Sequence, residues 1–477
     1  MVCKSAPTGT TASAAAGALP ARSFLQLMRI VLTNFGTTGD VQPFLALGVE
    51  LLRHNNEAVL AFTPEYASRV LRLGLEFYPI ETHLQEAQQR VNSALVEQPE
   101  LSNSFDEMRN LFAPLASGLP LAFDQLRDAC READVLVSGP AQPAARMVHE
   151  TTGIPFVSVQ FSHFGGVGSP ALQQASASVV NPFRARLGLP PLRDPLTIDA
   201  NSPQLALYAM SPHVCAPPAN WPSHYHMTGY FFLDDEDWKP DDRLIEFIKD
   251  GEKPVVITFG SMGLAHSDTE ASIKLILDAV SQSGCRSILQ VAGLDPLDHT
   301  ARRDVYTVGY VPHGWLFQRA SCIVHHGGGG TTGAVFRSGV PSIFVPHGSI
   351  FDQHYWAQLA QEMGCACPPI PFSQLTAERL CGAIRTVLST SSYYESAAAL
   401  GEKIRSEHGV KTARVLIQQL VYKIGLHQDR SRLIDQDIET ERRESKTTRR
   451  REYQKRQRAK SNRTGLDQLT QTGNDDN

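Results

Sequence analysis

From residue 28 onward, apolar and polar positions alternate between two rhythms. "MRIVLTNF" (28–35) is a continuous apolar run of strand length, closed by "GTTGD". "VQPFLALGVELLRH" (41–54) carries its apolar residues at helical spacing, "EAVLAFT" (57–63) is another strand-length run, and "PEYASRVLRLG" returns to the helical rhythm. Fully apolar strands alternating with amphipathic helices predict a parallel sheet covered by helices. Further strands are expected at 133–139 and 154–161, with a helix between them that ends at a glycine. From about 165 to 222 the rhythm dissolves into Pro, Gly, Ser and Asn, so only fragments of helix are expected there.

An acidic stretch punctuated by prolines, 226–254, reads as a linker. The alternation then restarts. Strands are expected at 255–263, 287–291, 304–310, 321–326 and 341–346, and helices at 269–283, 331–338, 354–363, 376–390 and 393–424. The same pattern thus occurs twice. It predicts two Rossmann-like α/β domains, 28–225 and 255–426, facing each other across a cleft, with disordered extensions at 1–27 and 427–477.

Composition narrows the class. With 477 residues, 42% of them hydrophobic, the chain is long enough for two cores. A net charge of -5 gives no global attraction to nucleic acid. The eight cysteines are scattered without a CxxC pair or zinc spacing, which points to reduced thiols and a cytoplasmic protein. Cys365 and Cys367 read as plain buried or loop thiols, with a redox or metal role as the alternative. No run approaches the ~18 apolar residues of a membrane span. Ser and Thr interrupt any apolar core in residues 1–27, which argues against a secretory signal; an Arg-poor transit peptide and a start at Met28 stay open. Within the tail, 442–460 holds ten basic and two acidic residues around a single aromatic, Tyr453, and reads as a solvated segment rather than a nucleic-acid module; peripheral contact with acidic lipid stays open.

The chemistry concentrates in "HHGGGGTTG" (325–333), between an apolar strand and a helix. A glycine-rich turn lets backbone N–H groups approach an anion, and the helix N-terminus adds partial positive charge. Thr331 and Thr332 can cap the helix or donate hydroxyls, and the histidines add donors. The expected ligand is a diphosphate. No Gly-Lys-Ser/Thr follows, so this is not a nucleotide-triphosphate loop, and GGGG is a poor match to GxGxxG. Downstream, Asp352 and Gln353 can hydrogen-bond vicinal sugar hydroxyls; upstream, "YVPHGWLF" (310–317) offers an aromatic and free backbone groups for a flat base. "FGSMG" (259–263) is a second Gly-Ser turn after a strand.

Together, "NFGTTGDVQPFLALGVELLRHNNEAVLAF", "TGYFFLDDEDWKP", "ITFGSM" and the 310–358 stretch resemble the nucleotide-sugar-dependent glycosyltransferases of the GT-B fold. The nearest branch is that of the sterol glucosyltransferases and the enzymes that glycosylate antibiotics, lipids and other natural products. The resemblance spans about residues 28–424. It implies that Ser261, His326, Gly328, Gly330 and Thr331 hold the donor diphosphate, Tyr310 and Val311 the nucleobase, and Asp352 and Gln353 the donor sugar. Gly329 stands where that family's pattern has alanine, which removes no hydrogen-bond donor.

The resemblance also implies that Asp40 is the general base that deprotonates an acceptor hydroxyl; from the residues alone, a cap on helix 41–54 is the equal alternative. His163, after a strand, either faces the acceptor or is structural. The reaction implied is a single inverting displacement, without a metal or other cofactor. UDP-glucose is the leading donor, a dTDP-sugar the alternative, and the acceptor a lipophilic alcohol. "DDED" (234–237) is read as a solvated acidic turn, not a metal site. A nucleotide-sugar epimerase and a non-catalytic nucleotide-sugar binder are the rival readings.

Overall fold

The computed structural model describes residues 27–81, 105–161, 170–235, 237–260, 269–291, 303–347 and 352–432. The first half builds β1 (Arg29–Thr33), α1 (Thr38–Arg53), β2 (Glu57–Phe62), α2 (Ala67–Arg72), β3 (Glu76–Pro79), α3 (Phe105–Ala129), β4 (Val135–Ser138), α4 (Pro143–Thr152), β5 (Phe156–Gln160), α5 (Pro170–Arg186), β6 (Leu205–Tyr208) and β7 (Tyr225–Met227). All seven strands are parallel, in the order β3-β2-β1-β4-β5-β6-β7. Because β1 and β4 are buried on both faces, they carry no polar alternation, as their sequence pattern requires.

The second half contributes α6 (Asp242–Lys249), β8 (Val255–Thr258), α7 (Thr269–Ser283), β9 (Ser287–Gln290), β10 (Val305–Thr307), β11 (Cys322–His325), α8 (Gly329–Ser338), β12 (Ser342–Phe344), α9 (Gln353–Glu362), α10 (Ala377–Ser389), α11 (Ser391–Arg405) and α12 (Gly409–Arg432). Its parallel order is β10-β9-β8-β11-β12. Each sheet therefore reverses its winding once, between β1 and β4 and between β8 and β11. In open parallel sheets, ligands bind outside the carboxyl ends at such a reversal.

The irregular 165–222 stretch holds more structure than its composition suggests. α5 runs for 17 residues through Pro182. Val180 and Phe183 sit in one core cluster with Leu119, Phe123 and Leu126 of α3, and the Phe123 and Phe183 rings meet edge to face at 5.6 Å. Tertiary burial, not local propensity, sustains both helices. Beneath them lies a charged knot. Arg184, fully buried, places Nη1 2.7 Å from Glu150 Oε2, and Arg146 Nε reaches Oε1 of the same carboxylate at 3.0 Å. Burial pushes Glu150 upward, but hydrogen bonds from Arg184 and Arg146 outweigh it and hold the carboxyl below its usual range.

The segment expected as a linker begins inside β7 and contains α6. Its acidic turn is not simply solvated: both terminal nitrogens of Arg337, in the last turn of α8, donate to the Asp234 carboxylate at 2.8 and 2.5 Å. The single long helix expected at 393–424 is two helices, broken at 406–408. The second, α12, crosses back to the first sheet. Ala413 and Ile417 are fully buried in the core that contains Ile30, Leu32 and Phe44, and Arg414 Nε donates to Glu50 Oε1 at 3.0 Å. α12 continues to Arg432, six residues into the stretch read as tail. The expected N-terminal extension up to residue 26 and the tail from 433 lie outside the described residues.

Because Ile417 completes the core of the other domain, Ile417→Ala is expected to lower unfolding free energy by about 2–5 kcal/mol. Urea unfolding followed by circular dichroism checks this; an unchanged midpoint would mean that α12 is not docked there.

Candidate active site

At the reversal of the first sheet, β1 ends at Thr33 and the chain turns through Gly36 into α1. Thr37 is the N-cap, its Oγ1 accepting from the Gly39 N–H at 3.3 Å. The N–H and hydroxyl of Thr37 both donate to Asp40 Oδ2, at 2.7 and 3.0 Å. Asp40 is therefore the third residue of the helix and the acid of a capping box, not the cap itself. The helix starts three residues earlier than its apolar pattern indicates because this box, not the first apolar residue, nucleates it. Burial pushes the Asp40 carboxyl above its ordinary value, and the two Thr37 hydrogen bonds oppose that rise. A hydrogen bond from its own backbone N–H opposes the rise as well.

The reversal of the second sheet lies between Gly260, after β8, and His325-His326 at the end of β11. The His326 ring is packed between two glycines. A Cβ at residue 260 would sit 2.7 Å from its Cε1, and one at residue 328 would come within 3.0 Å of its Nε2. Burial lowers the His326 pKa to about 4, so the ring is neutral, and its Nδ1 has no hydrogen-bond partner among the described residues. His325 is turned away from this place: its Nδ1 accepts from the Gly327 N–H at 3.2 Å and its ring lies 4.2 Å from that of Phe344.

The helix after the glycines starts at Gly329, with Gly328 as N-cap and no side-chain cap. Thr331 and Thr332, two of the expected capping candidates, lie inside the first turn and do not cap. The first intrahelical bond is Thr332 N–H to Gly328 O, at 2.8 Å. The N–H groups of Gly328 to Thr331 are thus left over by the helix geometry, and the space around Gly330 is open.

Asp352 and Gln353 open α9. Burial pushes Asp352 up to about 6; a hydrogen bond from Trp356 opposes the rise and the charge of Asp40 adds to it. That last contribution ties a carboxylate of the first domain to one of the second. Gln353 is buried, and its Oε1 accepts from the His347 N–H at 2.7 Å. The Tyr310 ring is 62% exposed, open for a stacked base. The Val311 carbonyl accepts from Gln290 Nε2, at 2.9 Å. Ser261 and His163 lie outside the described residues.

Two residues that the motif reading passes over join the site. Trp356, 1% exposed, donates its indole N–H to Asp352 Oδ2 at 2.6 Å. The four-residue spacing on one helix face is its signal in the sequence. Thr37 is the other, signalled by Thr-x-x-Asp before an apolar run. At Gly329, an added Cβ would meet the Phe161 carbonyl of the first domain at 3.5 Å, Trp356 Nε1 at 3.7 Å and Asp352 Oδ2 at 3.9 Å. These are ordinary contacts, so the position accepts a methyl group.

Residues 30–164 match the glycosyltransferase family 28 N-terminal domain, and residues 275–414 match the erythromycin biosynthesis protein CIII-like C-terminal domain. The chain is 30% identical over 430 residues to O-mycaminosyltylonolide 6-deoxyallosyltransferase of Streptomyces fradiae, covering 82% of this chain and 97% of the relative. It is 28% identical over 448 residues to sterol 3-beta-glucosyltransferase of Debaryomyces hansenii, covering 85% of this chain but 27% of that larger protein. Among solved structures, the glycotransferase of kitacinnamycin superposes with a TM-score of 0.65 at 20% identity, covering 83% of this chain and all of that one. A spinosyn rhamnosyltransferase complexed with thymidine diphosphate superposes with a TM-score of 0.59 at 18% identity, covering 82% and 100%. These superpositions establish the two-domain GT-B architecture.

The contacts around residues 328 and 329 separate two neighbouring glycines. Gly329→Ala is expected to fold with unchanged or slightly raised stability, by up to about 1 kcal/mol from helix propensity, and to keep UDP binding. Gly328→Ala is expected to displace His326 and to weaken UDP binding at least tenfold. Thermal melts and calorimetric titration with UDP check both; equal behaviour of the two variants would contradict the assignment.

Proposed function

The chain belongs to the glycosyltransferase family of these relatives, and we propose that it transfers a hexose from a UDP-sugar to a hydroxyl of a lipophilic acceptor with inversion at the anomeric carbon. Membership in that family sets aside the epimerase considered from the sequence. The observation that carries the proposal is the meeting of the two sheet reversals. One supplies a raised carboxyl, Asp40, and the other a cradle of unpaired helix N–H groups beside a neutral imidazole, close enough for Asp40 to act on Asp352.

In this reading the donor diphosphate lies on the N–H groups of Gly328 to Thr331 and accepts a hydrogen bond from His326, with Ser261 as a further donor. Asp352 and Gln353 bind the sugar hydroxyls, Tyr310 stacks on the base, and the Val311 N–H meets a base carbonyl. Asp40 accepts the proton of the acceptor hydroxyl as that oxygen bonds to the anomeric carbon. The bond between that carbon and the diphosphate oxygen breaks, and its electron pair stays on the leaving diphosphate. Helix-end amides and the imidazole N–H stabilise that charge, so the step needs no metal ion. A raised carboxyl suits the task, since a general base works best with a pKa nearer the working pH.

UDP-glucose is the donor we favour. The Debaryomyces hansenii relative is named as a glucosyltransferase of sterols, and the Streptomyces fradiae relative as a deoxyallosyltransferase of a tylonolide, which supports a large lipophilic alcohol as acceptor. No helix among the described residues is long and apolar enough to cross a membrane.

Asp40→Asn is expected to lower kcat by roughly 10²–10⁴-fold while calorimetric UDP binding is retained. Wild-type kcat/KM is expected to fall as pH drops through about 6, where Asp352 takes up a proton. Asp40, raised above its usual range, protonates on the same acid side and removes the base. Product mass from UDP-glucose and a panel of hydroxylated acceptors reads both; unchanged turnover of Asp40→Asn would overturn the assignment.

A further inference from the structure

Asp40 Oδ2 is held from several sides. Both donors of Thr37 converge on it, at 2.7 Å from the N–H and 3.0 Å from the hydroxyl. Gly36 precedes them with φ +133, and a Cβ there would come within 3.0 Å of that same oxygen. The Gly36 carbonyl is itself tied down, accepting from Tyr66 Oη at 3.2 Å. Asn34, buried between β1 and Gly139, donates its Nδ2–H to the Asp40 carbonyl at 3.1 Å. A capping box alone requires neither the missing Cβ at 36 nor the two fixed carbonyls.

We infer that Gly36 and Thr37 form a seat for the Asp40 carboxylate that occupies Oδ2 and leaves Oδ1 as its one basic atom, which makes Thr37 a positioning residue for the base. The inference rests on the reading of Asp40 as general base. The seat has two effects. It removes rotational freedom from the carboxylate, so the proton-accepting atom is already in place when the acceptor arrives. It also favours the charged form, opposing the upward push of burial. Among the described residues, the titratable groups coupled to Asp40 are Tyr66, before α2, and Asp352, at the start of α9. Neither donates to Oδ2.

The test compares Thr37→Val, Thr37→Ser and wild type, each with and without Asp40→Asn. The pH dependence of the melting temperature, taken as the difference between each protein that keeps Asp40 and its Asp40→Asn counterpart, reports the folded pKa of Asp40 without any substrate. Thr37→Val is expected to move that titration to higher pH, on the order of one unit. It is also expected to move the acid limb of kcat with it, and to lower kcat roughly tenfold at unchanged KM for UDP-glucose. Thr37→Ser is expected to restore the wild-type values. An Asp40 titration in Thr37→Val that coincides with wild type would overturn the seat. Turnover that survives Asp40→Asn would instead overturn the base reading, and the melting titration would still decide whether the seat exists. Should Thr37→Val fail to fold, Gly36→Ala replaces it, with the same upward shift expected and the same coincidence with wild type counting against the seat.

Discussion

A Cβ atom on residue 328 would lie within 3.0 Å of His326 Nε2, one on residue 260 would lie 2.7 Å from His326 Cε1, and one on residue 36 would lie within 3.0 Å of the Asp40 carboxylate. Both principal groups of the cleft are packed against backbone that has no side chain. The chain must turn sharply at the carboxyl ends of β1, β8 and β11, and the same turns must leave room for a ring or a carboxylate to fold back on them. The buried setting that results fixes the electrostatics. His326 is neutral at neutral pH, and the two carboxyls are raised above their ordinary values.

Raised carboxyls are a stability cost in the free protein at neutral pH, because burial disfavours the charge they carry. The cost is met away from the cleft. Two parallel sheets with buried central strands supply the cores, and a knot of Arg184, Arg146 and Glu150 ties the outer helices of the first domain. The domains are fastened at several separate places. Arg337 clamps Asp234 on the outgoing crossing. Ser211 donates to Glu407 at 2.6 Å where the chain returns, and α12 then seats Ile417 in the first core. The electrostatic cost at the site and the packing around it are complementary features of one design.

Much of this arrangement was legible in the residues. Strands buried on both faces leave unbroken apolar runs, so β1, β2, β4, β5, β8 and β11 could be read directly, and with them the two-domain architecture. α3 and α5 could not, because Pro182 and a polar surface mask a helix that exists only by packing against its neighbour. At the site, "HHGGGGTT" marked the turn from strand to helix, but not which residue caps the helix. Gly328 takes that place, with the last two glycines of the run inside the helix. Asp40 was visible as a candidate, yet its role as third residue of a capping box depends on where α1 begins, and Thr37 decides that. The tolerance of residue 329 for a methyl group depends on Phe161 together with Trp356 and Asp352, and no spacing along the chain connects Phe161 to the other two.

The central claim is that a carboxylate from one domain and a diphosphate seat from the other act on opposite sides of one anomeric carbon. The most direct measurement is the proton NMR spectrum of the glycoside formed from UDP-glucose, whose glucose is α-linked. Direct displacement predicts a β-glucoside, with the large diaxial coupling of its anomeric proton. An α-glucoside, with the small coupling of an equatorial anomeric proton, would contradict the account.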